Sequence, residues 1–380
     1  MSAPIRIGID ARELLGHPTG VGRYLAELLR RWTAREDSAA RRFILYSPEP
    51  LPAGLAGSTE TRVLPGGRGT WWEQSALGRA VRRDRPDVFF APAYTAPLGV
   101  GVPFAVTIHD ISFVAHPEWF RLRERGRRRV LTARAARNAS VIFTDSEFSR
   151  SEIEARLGVE RTRIRVIAPG VTTRPGPGSR IPDPDSKSPL VLFVGSLFNR
   201  RRLPDLIAAF ASATAHLPDA QLVIVGADRT WPVQDLTEHA RSLSVAEKVR
   251  VLDYVEESQL AALYARASVF AFLSEYEGFG LTPLEALTAG VPIVVLDTPV
   301  AREVYGPAAA YVPRGDIHAA AAALGRFLHS PAAGDEQLAQ APAVLARYSW
   351  DRAADETLHH LEAIARSMPV ASAFRRKTTR

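Results

Sequence analysis

Two carboxylates, Glu277 and Glu285, flank the glycine-rich string Gly278-Phe279-Gly280-Leu281-Thr282-Pro283. The apolar run 269–273 just before them reads as a buried strand. Thr282 has the character of an N-cap, with Pro283 at the first helical position and Glu285 three residues past Thr282. A strand, a glycine turn and a helix start leave backbone N–H groups pointing outward, which suits an anion. Gly278 and Gly280 carry no side chain, so a ligand can come close to the main chain. A capping residue and a tight turn account for the same string, and the residues alone leave both readings open.

Other strings carry residue types suited to the same chemistry. Gly195-Ser196-Leu197-Phe198-Asn199-Arg200-Arg201-Arg202 places three guanidinium groups beyond an apolar run. Arginine keeps its charge and can meet phosphate oxygens in pairs, although a solvated basic turn explains a short charge run as simply. His109 and Asp110 end the apolar run 104–108, and sites in α/β sheets are built at such strand ends. A lone histidine is more often a satisfied structural group, and His116 nearby reads that way. Gly16-His17-Pro18-Thr19-Gly20-Val21-Gly22-Arg23 lies between a strand and a helix, but its spacing is not G-x-G-x-x-G, so a dinucleotide site is not supported. Asp183-Pro184-Asp185 spells D-x-D, yet a proline separates the aspartates in a Pro/Gly-rich stretch, so it reads as a solvated turn.

The elements that must position these residues alternate short apolar runs with helical stretches, which predicts parallel α/β layers. Strands are expected at 5–9, 43–46, 88–91, 104–108, 141–144 and 164–167, with a clear helix over 24–35. Residues 172–188 are rich in Pro, Gly and Ser and read as a linker. A second series follows at 190–194, 221–225, 249–252, 269–273 and 292–296, and a long helix is expected from Trp350 to about Ser367. The expected organisation is therefore an N-terminal Rossmann-like unit (1–171), the linker, a second such unit (189–349), the helix 350–368 and a basic tail (369–380). Two doubly wound domains in tandem hold a ligand in the crevice between them, at the carboxyl ends of the strands.

Composition narrows the classes. The 380 residues are 46% hydrophobic and 23% charged, ordinary values for a soluble globular protein. The absence of cysteine excludes disulfides, thiolate metal sites and a cysteine nucleophile. No apolar run approaches the length of a membrane span, and the chain enters a strand at Ile5 without a basic-then-apolar leader, so we expect a cytoplasmic protein. The formal charge of +7 suits anionic partners, and only Lys187, Lys248 and Lys377 among its 48 basic residues are lysine. The stretch 119–138 concentrates Arg121, Arg123, Arg125, Arg127, Arg128, Arg129, Arg134 and Arg137. Such a helix can lie on anionic lipid at the inner face of the plasma membrane, and a solvated charged face fits it equally.

The string EGFGLTPLEA resembles the E-x7-E signature of the retaining GT-B-fold glycosyltransferases of family four, the group-1 glycosyltransferases, and the resemblance extends over nearly the whole chain. It implies two Rossmann-like doubly wound domains facing across a cleft, with the final helix crossing back onto the first. By this resemblance Glu277 and the amides of Gly278, Phe279, Gly280, Leu281 and Thr282 hold the donor sugar, and Glu285 binds the ribose of the nucleotide. The Gly-Ser/Arg segment (Gly195, Ser196, Arg200, Arg201) holds the diphosphate, with Arg201 where the family has lysine and Arg202 where it has asparagine. Gly20 and Gly22 fall in the family's glycine loop. The His109-Asp110 pair resembles that of mannosyl- and rhamnosyl-type members, which implies that His109 faces the donor sugar and that Asp110 orients it. Trp71-Trp72-Glu73-Gln74 resembles a Trp-Glu-Gln element of the same subgroup, where Glu73 lines the acceptor cleft, while core packing explains it as well. Asp145-Ser146-Glu147-Phe148-Ser149-Arg150 resembles a Ser-Glu-Phe-Ser segment and reads as a serine N-cap.

The resemblance implies a nucleotide-diphosphate sugar as donor, with GDP-mannose favoured, a glycan or lipid-linked acceptor, no cofactor and no metal. The alternatives are a GT-B epimerase, a non-catalytic sugar-nucleotide-binding protein and, from charge alone, a nucleic-acid-binding protein. No aromatic-basic recognition motif supports the last, so no nucleic-acid partner is expected. A phosphorylase lacks a lysine suited to a pyridoxal cofactor.

Overall fold

The structure is a computed structural model that describes residues 3–16, 20–52, 59–173 and 188–367. The Asp183-Pro184-Asp185 string, most of the expected linker and the expected 369–380 tail lie outside the described residues.

Two wholly parallel sheets carry the fold. The first contains β1 (Ile5–Asp10), β2 (Arg41–Ser47), β3 (Glu60–Val63), β4 (Val88–Ala91), β5 (Phe104–Thr107), β6 (Val141–Thr144) and β7 (Ile164–Val166) in the order β3-β2-β1-β4-β5-β6-β7. The second contains β8 (Leu190–Val194), β9 (Gln221–Val225), β10 (Val249–Leu252), β11 (Val269–Phe272), β12 (Ile293–Leu296) and β13 (Ala310–Val312) in the order β10-β9-β8-β11-β12-β13. Strand order reverses between β1 and β4 and between β8 and β11, and such switch points open a crevice at the carboxyl ends. Inner strands such as β8 are buried along their whole length, as expected when helices cover both faces. Two strands escaped the sequence reading, β3 and β13. Both are edge strands: Glu60–Val63 is charged and half exposed and so shows no apolar run, and β13 is only three residues long.

The helix Val21–Ala34 buries Tyr24, Leu25, Leu28, Leu29 and Trp32, a spacing of three and four that faces the first sheet. It starts three residues before the expected 24–35, which brings Gly22 and Arg23 into its first turn. The last helix, Trp350–Ser367, returns from the second sheet to this same layer. Its Trp350, Ala353, Ala354, Leu358, Leu361 and Ile364 join the core formed by Ile7, Ile9, Phe43, Phe90 and Trp32. Trp32 Nε1 donates to Ala354 O at 2.9 Å, and Arg31 Nε donates to Asp351 Oδ1 at 2.6 Å. The C-terminal helix is thus part of the first unit's core.

The loops at the carboxyl ends of the two sheets touch. A Cβ on Gly278 would fall onto the carbonyl oxygen of His109, so the two main chains pass in contact. Ser146 Oγ, the N-cap of the helix Glu147–Leu157, donates to Gly278 O at 2.6 Å, and Ser149 Oγ also reaches that oxygen at 3.2 Å. Glu303 of the second unit accepts from Glu147 N at 2.7 Å and Phe148 N at 3.0 Å, capping the same helix from across the cleft. Tyr276 OH donates to Glu152 Oε2 at 3.2 Å. The cleft is closed.

Two measurements test this architecture. Leu361 is fully buried, so Leu361→Ala is expected to cost about 2–5 kcal/mol, read as a lower urea midpoint. Gly278→Ala is expected to leave the unfolding midpoint near that of the wild type while increasing the radius of gyration in solution scattering, because the clash lies between the units. An unchanged radius would mean that the contact does not limit closure.

Candidate functional site

The strand β8 ends at Val194, and Gly195 and Ser196 lead into a single helical turn, Asn199–Arg201. Arg202 follows in the left-handed conformation, at φ 51° and ψ 42°, which turns its side chain away from its two neighbours. It pairs with Asp205 and, through Nη1, with Glu275 Oε1 at 2.6 Å, while Arg314 pairs with the other oxygen of Glu275 at 2.8 Å. The third guanidinium of the sequence run therefore belongs to the second unit's own surface, and two remain for the cleft. The left-handed backbone also gives a reason for asparagine at this place in the family, since asparagine tolerates it.

Arg200 and Arg201 lie nearly buried over aromatic rings, each guanidinium carbon 4.4 Å from the centroid of Phe198 and Phe272 respectively. Arg201 Nη1 stands 2.6 Å from Glu277 Oε1, and Arg200 Nε stands 3.7 Å from the same oxygen. Glu277 is held from behind by the Ser274 hydroxyl, and Arg200 Nη1 reaches Ser112 Oγ at 3.4 Å, on the other side of the cleft. Among the described residues, Arg200 Nε and Arg201 Nε and Nη1 are buried without a hydrogen-bond partner, since the Glu277 contact is close but out of line. Orphaned buried donors are rare, and here they point at a place where acceptor oxygens are due. Burial pushes Arg201 down to about 10, with Arg200 adding to the effect and Glu277 opposing it. Burial also works against Arg200, but Glu277 and Asp110 together hold it above the ordinary value.

His109 follows β5 and is almost enclosed. Its Nδ1 lies 2.8 Å from Asp145 Oδ2 and its Nε2 lies 3.1 Å from Pro92 O. Both nitrogens thus face acceptors, which only the doubly protonated ring satisfies. Burial opposes that charge, but Asp145 outweighs it and raises the His109 pKa. The edges of Tyr24 and Tyr94 close the remaining sides, with centroids at 5.1 and 5.7 Å. The partner that orients His109 is therefore Asp145, not the expected Asp110. Asp110 instead accepts from Ser112 N at 2.8 Å and Tyr94 OH at 3.3 Å. Burial works against its charge, but the nearby Arg200 and the Ser112 bonds hold it below the ordinary carboxylate value. His116 stacks on Trp119 at 4.1 Å, as a structural residue would.

The glycine turn corrects a second expectation. The helix spans Leu281–Thr288 and its N-cap is Gly280, so Thr282 and Pro283 are its second and third residues. The cause lies in tertiary packing: Gly280 adopts φ 90°, and Tyr305 OH, donating to Gly280 O at 2.9 Å, fills the space a Cβ would need. The Phe279 side chain turns into the core against Tyr348, which leaves only its backbone for a ligand. Glu285 is released from capping. Its carboxylate, 2% exposed, receives Arg23 Nη2 at 2.7 Å from across the cleft and Tyr264 OH at 3.3 Å. Gly20 is the N-cap of the Val21–Ala34 helix, at φ 50° and ψ −109°, and Gly22 is buried in its first turn.

Glu73 sits on a π-helical turn, Glu73–Leu77, beneath the loops of the first unit. It pairs with Arg12, accepts from Thr95 Oγ1 at 2.7 Å, and shares Arg12 with Asp10, whose carboxylate is 3.1 Å away. All three charged groups are buried, and burial pushes the Asp10 carboxyl up to about 6. Trp72 packs in the core while Trp71 is 84% exposed. Core packing accordingly describes Trp72 and Glu73 better than a cleft lining does. Sequence reading missed Asp145, Tyr94, Ser112, Ser274 and Arg23. The positions of the first three were a usable signal, since each follows a strand of the first sheet.

Comparison with known proteins agrees with this geometry. A sequence model for Glycosyltransferase Family 4 matches residues 18–174, and one for Glycosyl transferases group 1 matches residues 179–343. The chain is 27% identical to an O-antigen chain mannosyltransferase B of Escherichia coli, over 92% of this chain and 98% of that protein. It is 29% identical to a GDP-mannose:cellobiosyl-diphosphopolyprenol alpha-mannosyltransferase of Komagataeibacter xylinus, over 60% of this chain and 57% of that protein. Among solved structures, sucrose-phosphate synthase from Thermosynechococcus elongatus superposes with a TM-score of 0.72 at 19% identity, covering 97% of this chain and all of that one. Two parallel-sheet units closed over a glycine turn and paired arginines, matched along nearly their full length by these families, make the chain a group-1 glycosyltransferase of the GT-B fold.

Proposed function

We propose that this glycosyltransferase moves a hexose, with mannose favoured, from a nucleotide-diphosphate sugar to a hydroxyl of a glycan or lipid-linked acceptor, with retention at the anomeric carbon. The observation that carries the reading is the pair of buried guanidinium groups beside Glu277, Arg200 and Arg201, whose Nε atoms have no hydrogen-bond partner. A diphosphate supplies the acceptor oxygens these donors lack, and in a closed, water-poor cleft such contacts strengthen as charge builds on the leaving group. Glu277 and the amides from Gly278 to Thr282 hold the sugar, Glu285 takes the ribose hydroxyls, and Gly20, Gly22, Gly195 and Ser196 let the chain approach the diphosphate. Two of its relatives are mannosyltransferases, which supports mannose and glycan synthesis.

Both nitrogens of His109 are engaged, so it serves as a fixed positive wall of the sugar site and not as the base. The acceptor oxygen then bonds to the anomeric carbon as the bond from that carbon to the phosphate oxygen breaks, and the acceptor proton passes to the departing phosphate on the same face. The two arginines do the work of a cation, and we propose that no metal takes part.

The helix Leu122–Asn138 turns exposed Arg123, Arg127, Arg128 and Arg129 outward with Leu122 and Val130, while Thr132, Ala135 and Ala136 face the core. We propose that this face rests on anionic lipid at the inner face of the membrane, each charge contributing about 1 kcal/mol. No helix among the described residues is long and apolar enough to cross a membrane.

Incubation with GDP-mannose, UDP-glucose, UDP-N-acetylglucosamine and dTDP-rhamnose is expected to give turnover with GDP-mannose, unaffected by chelator, and an α-linked product. Arg201→Ala is expected to lower kcat about 10²–10³-fold, the range for loss of one preorganised donor. An inverted product would reject retention, and turnover of none of the four would reject the donor reading. Sedimentation with vesicles containing phosphatidylglycerol is expected to retain the protein at low salt and release it at high salt; no retention at low salt would reject the membrane contact.

A further inference from the structure

Glu285 belongs to the second unit, but a balancing charge comes from the first. At 2% exposure a carboxylate needs a counter-charge or takes up a proton. Tyr264 of its own unit brings a hydroxyl to Oε2 at 3.3 Å, and Arg23 brings Nη2 to Oε1 at 2.7 Å from across the cleft. The place of Arg23 in its helix does not explain it. It sits in the first turn of Val21–Ala34, a turn without an acidic residue, where the helix dipole disfavours a cation. Its side chain is one-third exposed at the mouth of the cleft, so its contact with Glu285 forms only when the units come together.

We infer that Arg23 is a positioning residue for the donor: it holds the Glu285 carboxylate in place from the facing unit, and thereby completes the ribose-binding carboxylate only in the closed protein. This rests on the reading of Glu285 as the ribose residue. A carboxylate offers about four lone-pair positions. Arg23 engages Oε1 and Tyr264 engages Oε2, so both oxygens are held in place for a vicinal diol. Arg23 thus acts on the nucleotide through Glu285, and its removal weakens the contacts to the ribose hydroxyls while sparing those to base and diphosphate.

Isothermal titration of wild-type, Arg23→Gln, Arg23→Lys and Glu285→Gln proteins with GDP, UDP and their 2′,3′-dideoxy forms tests this. The wild type is expected to prefer the ribo form of its nucleotide by about tenfold or more, the order for a hydrogen bond to a charged group. Glu285→Gln is expected to abolish the preference. Arg23→Gln is expected to lose most of it with dideoxy binding unchanged, and Arg23→Lys to keep part of it. Loss of the preference in Glu285→Gln but not in Arg23→Gln overturns the role of Arg23 and leaves the ribose reading standing. Equal weakening of ribo and dideoxy forms in Arg23→Gln overturns it too, as a general structural effect. A preference that survives in Glu285→Gln, or a wild type that binds neither nucleotide, overturns the ribose reading itself.

Discussion

The passage of Gly278 against the carbonyl of His109 is the constraint on which the rest of the cleft depends. It is a contact of main chain on main chain, so its position is set by the sheets below and not by side-chain rotamers. The Gly278 carbonyl then receives two serine hydroxyls from one helix start, which fixes the turn in orientation as well as in distance. Glu277 and Glu285, on either side of this turn, have different partners. One meets the arginines of its own unit, the other an arginine of the facing unit. A side chain at 278 would displace every one of these partners together.

The electrostatics follow from closure. Arg200 lies between Glu277 and Asp110, one carboxylate from each unit, and its charge is held by both against the cost of burial. Arg201 has less compensation, and burial lowers its pKa accordingly. A buried cation with donors to spare is an expensive feature for stability and a useful one for binding an anion. His109 adds an imidazole fixed by Asp145, which also raises its pKa. The site is therefore already arranged for a ligand carrying negative charge, and little rearrangement is left for the reaction.

Much of this was legible in the residues. The inner strands announced themselves as apolar runs because parallel strands are buried on both faces, and the glycine turn stood out as the place where the two units turn out to meet. What escaped was set by partners distant in sequence. Thr282 looked like a cap by local rule, but Tyr305 holds Gly280 in the conformation that starts the helix. His109 and Asp110 are neighbours in sequence, yet the residue that binds the imidazole comes from the end of the next strand. Arg202 was indistinguishable from Arg200 and Arg201 as a letter, and only its left-handed backbone separates them. Glu73 could be read as cleft lining or as core, and its pairing with Arg12 shows it buried.

The cap that Glu303 places on the Glu147–Leu157 helix has a bearing on modularity. A chain built as two parallel-sheet units invites the exchange of whole halves between transferases. Here, however, one unit finishes the secondary structure of the other. A grafted second half without a carboxylate at 303 would leave the start of that helix bare, and one without Glu285 would leave Arg23 facing nothing. The halves of this chain are complementary pieces cut along a shared seam, and any recombinant made from them inherits both edges of the cut or neither.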